Sequence, residues 1–441
     1  MTTKIQFTVQ TSDKLKTDLL ILPLTQISND KTFQLSPLGK KMDGELKGFL
    51  TTLLKREDFK GKTGDVRLVD IPEMLGAKAL LLVGLGEVKK ITKDSIRKWA
   101  ATALKQANKV KAQKITFEDV SFLDPRSRGH AIAEGVVLAN YTFDDYRSEK
   151  QGPKKSVTHV EVLTSEKMKE AFQTGFNLGA VFAESTNFAR SLINIPAVDM
   201  TPKRMAEEAK QIAKQPGVSI KILEQKELER LGMGLYLAVA KGSTQPPYFI
   251  HLTYKPAKKV KKKVVIIGKA VTFDSGGLSL KPPNSMETMK DDMSGSAAML
   301  GVMRALSSLK PNIEVHGICA ATENMPSGSA ERPGDIARAM NGKTVEILNT
   351  DAEGRLTLAD AICYAQKLKP DLIIDAATLT GAAELANAAA LTGTAKLADT
   401  ARFAAAAKNE HSRFAFQRHP FGIIKTMAVN CHSRLHTRCR Y

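Results

Sequence analysis

A chain of 441 residues with 43% hydrophobic and 25% charged side chains has the balance of a globular protein, and it is too long for one ordinary core. No apolar run could span a bilayer, Met1 to Lys4 leads into strand-like alternation rather than a signal peptide, and four cysteines without a CxxC pair exclude a disulfide framework. A reduced, cytoplasmic protein of two domains is the expectation. The net charge of +19 suggests nucleic acid, but nine Lys/Arg against two Asp/Glu put +7 of it in the last 48 residues. Much of the rest sits in clusters such as Lys258 to Lys263, which a solvated loop explains.

In chain order, residues 1–165 alternate strand-like runs (Asp18–Leu24, Val66–Ile71, Leu80–Val83, His159–Leu163) with helix-like ones (Lys93–Gln106 and a run from near Gly129). That alternation predicts a smaller N-terminal α/β domain with a mostly parallel sheet. Leu80 to Gly86 holds half a dinucleotide fingerprint, but Lys89 stands where the third glycine would be, so it reads as a buried strand and a tight turn. Residues 166–192 carry apolar side chains at helical spacing and predict a linker helix.

Residues 193–395 read as a larger catalytic domain with a mixed sheet flanked by helices. Thr201-Pro202 opens a helix through about Lys214, with threonine as N-cap and proline at the first helical position. Val218–Leu223 reads as a strand. Leu231-Gly232-Met233-Gly234 reads as a turn leading into Leu235–Val239, a further strand, followed by Tyr248–Tyr254 and Val264–Gly268. Ala297–Leu309 predicts a helix, preceded by small residues suited to close approach to a sheet. Glu314–Ala320 and Asp371–Ala376 read as buried strands, with Glu323–Gly328 a loop and Leu358–Lys367 a helix.

The chemistry-bearing stretch is Asn349-Thr350-Asp351-Ala352-Glu353-Gly354-Arg355-Leu356, two carboxylates just beyond the β-branched run Thr344–Leu348 in a turn loosened by Gly354. Taken alone, such a turn is a solvated acidic helix start. Its company changes the reading. Asp274, Asp292, Asp351 and Glu353 all follow, or lie close to, apolar strand-like runs, and such loops gather on one edge of a parallel sheet. Four clustered carboxylates need cations, and two divalent ions a few ångström apart meet that need.

Gly268-Lys269-Ala270-Val271-Thr272-Phe273-Asp274-Ser275-Gly276-Gly277-Leu278-Ser279-Leu280-Lys281-Pro282, then Asp292-Met293-Ser294-Gly295, then Asn349 to Leu356, closely resemble the motifs of the leucyl (cytosol) aminopeptidases, a family of dinuclear-metal peptidases. The resemblance is strong from about Arg190 to Gly381 and fainter over the N-terminal third. It implies two divalent ions per subunit, Mn²⁺ or Zn²⁺. One would take Asp274, Asp351 and Glu353, and the other Lys269, Asp274, Asp292 and Glu353. An amine ligates only when neutral, and two nearby dications can bring that about. The resemblance further implies that Lys281 polarises the scissile carbonyl, that Arg355 holds a bicarbonate as general base, and that the product is a leucine-like N-terminal residue released from a peptide. A homohexamer is implied as well. Ala270 stands where relatives carry glycine, so a left-handed backbone there would be strained.

Residues 396–441 depart from that pattern. Phe403 to Ala407, Arg413 to Pro420 and His432 to Tyr441 follow no clear period, and four of the eight histidines fall here. This atypical tail reads as a frameshifted or truncated product and implies weak or absent turnover. Cys431, His432, His436 and Cys439 fit no common zinc spacing and read as a chance cluster. Two alternatives remain on the sequence: a catalytically inactive homologue that binds DNA or protein, and a two-metal phosphoesterase, against which the lysine ligand and lack of metal-binding histidines speak.

Overall fold

The computed structural model describes residues 5–10, 16–27, 32–72, 76–148 and 157–379, and the strands Phe414–Ala415 and Ile424–Val429. The chain forms two compact units, divided after Glu184.

The first unit runs β1 (Gln6–Gln10), β2 (Thr17–Ile27), β3 (Thr32–Leu35), α1 (Pro37–Glu45), α2 (Phe49–Arg56), β4 (Val66–Asp70), β5 (Ala77–Glu87), α3 (Lys93–Lys109), β6 (Lys114–Glu118), α4 (Pro125–Ala139), β7 (His159–Leu163) and the part of α5 (Glu166–Asn194) up to Glu184. Its sheet has the order β1-β7-β6-β2-β5-β4, with β3 on β2. All pairs are parallel except β4 on β5 and β3 on β2, as the sequence alternation predicts. Alternate residues of β2 and β5 serve two cores, because a strand's side chains change face at each step. Leu19, Ile21, Leu81 and Val83 pack with Trp99 and Ala103 of α3 and Ile132 of α4. Leu20, Leu22, Leu80 and Leu82 pack with Met42 of α1 and Leu50 and Leu54 of α2. An α/β sandwich is the result.

The second unit contains α6 (Pro202–Ile212), β8 (Val218–Leu223), α7 (Gln225–Leu231), α8 (Gly234–Ala240), β9 (Tyr248–Tyr254), β10 (Lys263–Gly268), β11 (Val271–Asp274), α9 (Pro283–Met286), α10 (Ser294–Leu309), β12 (Glu314–Asn324), β13 (Asp335–Arg338), β14 (Thr344–Ile347), α11 (Glu353–Lys367), β15 (Leu372–Ala377), β16 (Phe414–Ala415) and β17 (Ile424–Val429). The mixed sheet has the order β16-β17-β15-β10-β12-β9-β8, with β11 beside the far end of β12. Strands β17, β15, β10 and β12 are mutually parallel; β9 turns antiparallel against β12. One face packs under α6 and α10 through Met205, Met299, Ile250 and Cys319. The other packs under α8 and α11 through Tyr236, Phe249, Ile318 and Ile362. The sheet bears on α10 without a spacer: a Cβ on Gly268 would lie 2.4 Å from Ser296 Cα, and one on Gly295 2.0 Å from Ala376 O. The small residues before Ala297 therefore allow the contact the sequence suggested.

Three sequence expectations need correction. Leu235–Val239 is helix α8, not a strand. A five-residue apolar run has no diagnostic period, and here Leu235, Tyr236, Ala238 and Val239 are all buried, which suits a helix wedged between two packed layers. Glu323 and Asn324 belong to β12 rather than to a loop. Helix α11 begins at Glu353, not at Leu358, so Gly354 lies in its first turn. Ala270 carries no left-handed strain, since it is absent from the positive-φ residues and lies buried beneath α10. Cys431, His432, His436 and Cys439 lie outside the described residues, as does all of 396–441 except β16 and β17.

Candidate metal centre

Strand β10 ends at Gly268 and β11 begins at Val271, both alongside the long β12. Lys269 falls in that break. Its backbone N–H donates to Ala376 O at 2.9 Å and its carbonyl accepts from Ser296 N at 2.9 Å, so its position is fixed by β15 and α10 together. The side chain is 3% exposed and its ammonium lies 2.8 Å from Asp292 Oδ1, 2.8 Å from Glu353 Oε1 and 2.9 Å from Thr378 O. Burial works against that charge, but the Asp292 and Glu353 carboxylates outweigh it and raise the amine's pKa.

Asp274, the last residue of β11, is held by the turn that follows. Its Oδ1 accepts from Gly276 N and from Asn324 Nδ2, each at 2.9 Å, which leaves Oδ2 directed at Lys281 Nζ, 3.0 Å away. Gly276 and Gly277 have φ of +88° and +65°, a left-handed pair, and a Cβ on Gly276 would lie 3.0 Å from Asp351 Oδ1. That turn brings Lys281 back over the site, with its N–H on Ser275 O at 2.9 Å. The Lys281 ammonium also pairs with Asp351 Oδ1. Burial lowers its pKa, yet the bond to Asp351 and the charge of Asp274 prevail and raise it.

Asp351 sits in a single 3₁₀ turn, Thr350–Ala352, capped by Asn349, whose Oδ1 accepts from Asp351 N at 2.9 Å. Glu353 opens α11, where the helix dipole favours a carboxylate. One ligand oxygen from each of Asp274, Asp351 and Glu353 lies within 4.8 Å of the others. Asp292 joins them through Lys269 and through the Thr378 hydroxyl, which donates to its Oδ1 at 2.7 Å. Burial and the neighbouring Glu353 and Asp274 carboxylates push Asp292 well above the usual carboxylate range, and Lys269 only partly offsets them. Glu353 is raised as well, first by burial and then by Asp274. Arg355 is exposed on the first turn of α11.

The structure thus gathers Lys269, Asp274, Lys281, Asp292, Asp351 and Glu353. Three further members carried no motif of their own. Asn324 positions Asp274 and also donates to Thr350 O at 3.0 Å; Thr378 positions Asp292. Glu331 is 5% exposed, neither of its carboxylate oxygens has a hydrogen-bond partner, and burial followed by the Glu353 charge pushes its pKa up to about 7.

Does this donor set suit divalent cations? Asp292 Oδ2 and Glu353 Oε2 are buried with no hydrogen-bond partner. Leaving a buried carboxylate oxygen unpaired costs on the order of 1–3 kcal/mol. Four carboxylates also face only two ammonium groups. Hard oxygen donors with a charge deficit and orphaned lone pairs are what a dication supplies a partner for. They fit.

Comparison with known proteins agrees with this geometry. The family model for the cytosol aminopeptidase catalytic domain matches residues 187–422, and the one for the same family's N-terminal domain matches residues 26–150. A probable cytosol aminopeptidase of Persephonella marina is 43% identical over 357 residues, covering 80% of this chain and 71% of that protein. One from Sulfurihydrogenibium sp. is 42% identical over 385 residues, covering 87% and 75%. A solved structure, the bottromycin maturation enzyme BotP in complex with Mn, superposes with a TM-score of 0.69 at 33% identity, covering 83% of this chain and 73% of that one. Both halves of the sequence are accounted for by one pair of matched domains, and the carboxylate cluster lies inside the catalytic one: the chain belongs to the cytosol aminopeptidase family.

Proposed function

We propose that this protein is a metal-dependent aminopeptidase that removes leucine-like residues from peptides with a free N-terminus, working from residues 193–395. The observation that carries the reading is the buried meeting of Asp274, Asp292, Asp351 and Glu353 with orphaned oxygens on two of them. Asp274, Asp351 and Glu353 would hold one divalent ion, and Lys269, Asp274, Asp292 and Glu353 a second; Mn²⁺ and Zn²⁺ both suit the donors. Two such ions would supply Lewis acidity and a water acidified for attack on the first peptide carbonyl.

The chain's own groups do the remainder. Lys281, kept protonated by Asp274 and Asp351, is a fixed donor for the oxygen that gains charge as the carbonyl is attacked, the kind of pre-aimed charge that contributes most to catalysis. Arg355 presents an exposed guanidinium fork that matches a planar anion such as bicarbonate, which would take the proton from the water. Asn324 and Thr378 hold Asp274 and Asp292 in place, so neither carboxylate has to be ordered when a cation arrives. A homohexamer and a cytoplasmic location are consistent with the family. No described feature favours the DNA-binding alternative.

Hydrolysis of leucine p-nitroanilide with Mn²⁺, measured beside metal content, tests the reading. About two ions per chain are expected, with turnover falling at least 100-fold in Asp351→Ala together with loss of bound metal. Full turnover in Asp351→Ala, or in chelator-treated protein, would refute it.

A further inference from the structure

A second polar cluster lies on the other half of the same sheet. His251 and Thr253 are alternate residues of β9 and so share a face, and His316 on β12 stands opposite Thr253 and diagonal to His251. Both histidines are buried, Thr253 is half-buried, and α11 sets the Tyr364 hydroxyl against His251. His251 Nε2 lies 2.9 Å from His316 Nδ1, and the Thr253 hydroxyl is 3.3 Å from the first and 3.2 Å from the second. The outward nitrogens are occupied: His316 Nε2 is 2.8 Å from Glu314 Oε1, and His251 Nδ1 is 3.1 Å from the Tyr364 hydroxyl.

The hydrogen bonds can be assigned in sequence. Glu314 accepts, so His316 Nε2 carries its proton and Nδ1 is a bare lone pair. His251 Nε2–H must then donate to it, and the Tyr364 O–H donates to His251 Nδ1. If His251 shifts its proton from Nε2 to Nδ1 and donates to the Tyr364 oxygen instead, two imidazole lone pairs and one hydroxyl oxygen are left within 3.3 Å of one another. No proton is gained or lost.

We propose that His251, His316 and Thr253 form a second cation site, distinct from the carboxylate centre, that takes a transition-metal ion of the zinc or copper kind. Tetrahedral ligands at about 2.0–2.1 Å from zinc stand roughly 3.3 Å apart. The Thr253 oxygen already keeps that spacing from both nitrogens, and the two nitrogens need to part by only a few tenths of an ångström. Glu314 and Tyr364 occupy the positions of the outer partners that orient metal-bound imidazoles. Lys221, Lys255 and Lys263 oppose added positive charge here; Glu314 offsets them at His316, and Glu227 lies near enough to act on Tyr364. Burial and those same charges also hold both rings below the usual histidine range, His251 at about 4, so both are neutral and ready to ligate at pH 7. Asn324 lies eight steps along β12 from His316, roughly 26 Å at a strand's ~3.3 Å rise.

Pulsed electron paramagnetic resonance of the full chain with one equivalent of Cu²⁺ tests the site, because the carboxylate centre offers no imidazole. Modulation from imidazole nitrogen is expected in the unmutated chain and is lost in both His251→Gln and His316→Gln. Tyr364→Phe keeps both ligands and the fold, and is expected to retain the signal with about tenfold weaker Cu²⁺ affinity. No imidazole modulation in the unmutated chain would overturn the proposal whatever the variants do. Modulation of undiminished depth in both histidine variants would place the signal on other histidines and overturn it as well.

Discussion

Gly354 shows how one atom can decide a site. A Cβ there would lie 2.8 Å from Lys269 Cε and 2.9 Å from its Nζ. Alanine is the better helix former by about 1 kcal/mol, so Gly354→Ala is expected to leave the melting temperature nearly unchanged while displacing the amine, cutting both bound Mn²⁺ and turnover at least tenfold. Metal analysis beside thermal unfolding checks both halves of that statement. Glu331 gives the opposite case, a charge that costs stability. Its folded pKa of about 7 exceeds the ordinary value of 4.5, so the penalty is absent below about pH 4.5, accumulates between pH 4.5 and 7 and is complete above about pH 7. In chelator-treated protein, Glu331→Gln is expected to stabilise the fold by roughly 2–3 kcal/mol at pH 8 and by nothing at pH 4; urea titrations at the two pH values measure it. Asp274, Asp292, Asp351, Glu353 and both lysines were legible because motif spacing marked them. Glu331, Asn324 and Thr378 were not, since a lone acid, amide or hydroxyl acquires its role only from what folding sets beside it.

At the scale of elements, legibility followed length and period. Strands β7 and β8 fall on the residues that alternation picked out, and the helix predicted over 166–192 extends by only two residues. Helix α8 was misread because seven residues, nearly all buried, give no period to distinguish strand from helix. Its position depends on a partner 124 residues away: the Asp360 carboxylate, on α11, accepts from Tyr236 N at 2.9 Å and from Met340 N at 2.8 Å. Asp360→Ala would leave both backbone donors unpaired. A loss of roughly 2–4 kcal/mol is expected, read as a lower urea midpoint with an unchanged slope. Of the hairpin of β13 and β14, the β-branched run marked β14, while β13 escaped notice for another reason. With Ile336 69% exposed, that strand lacks the buried alternation that marks strands elsewhere in the chain.

For the molecule as a whole, the two units should answer differently to cations. Metal at 100 times its Kd stabilises the form that binds it by about 2.7 kcal/mol. Hydrogen exchange with and without chelator is therefore expected to slow across residues 185–441 and to stay unchanged across 1–184. Equal slowing in both would contradict a centre confined to the second unit. Within that unit β12 is flanked on both sides from Val315 to Cys319, by β10 and β9; β9 continues to Ala321, and β11 alone pairs Thr322 and Asn324. Across Val315–Cys319 no edge is open, so that stretch should be among the last segments to open. Asn324, the residue that orients Asp274, rides on the end of that strand. The orientation of Asp274 is thus tied to the sheet itself. A divalent ion arriving there would find its first carboxylate already aimed by the sheet and not by the ion itself.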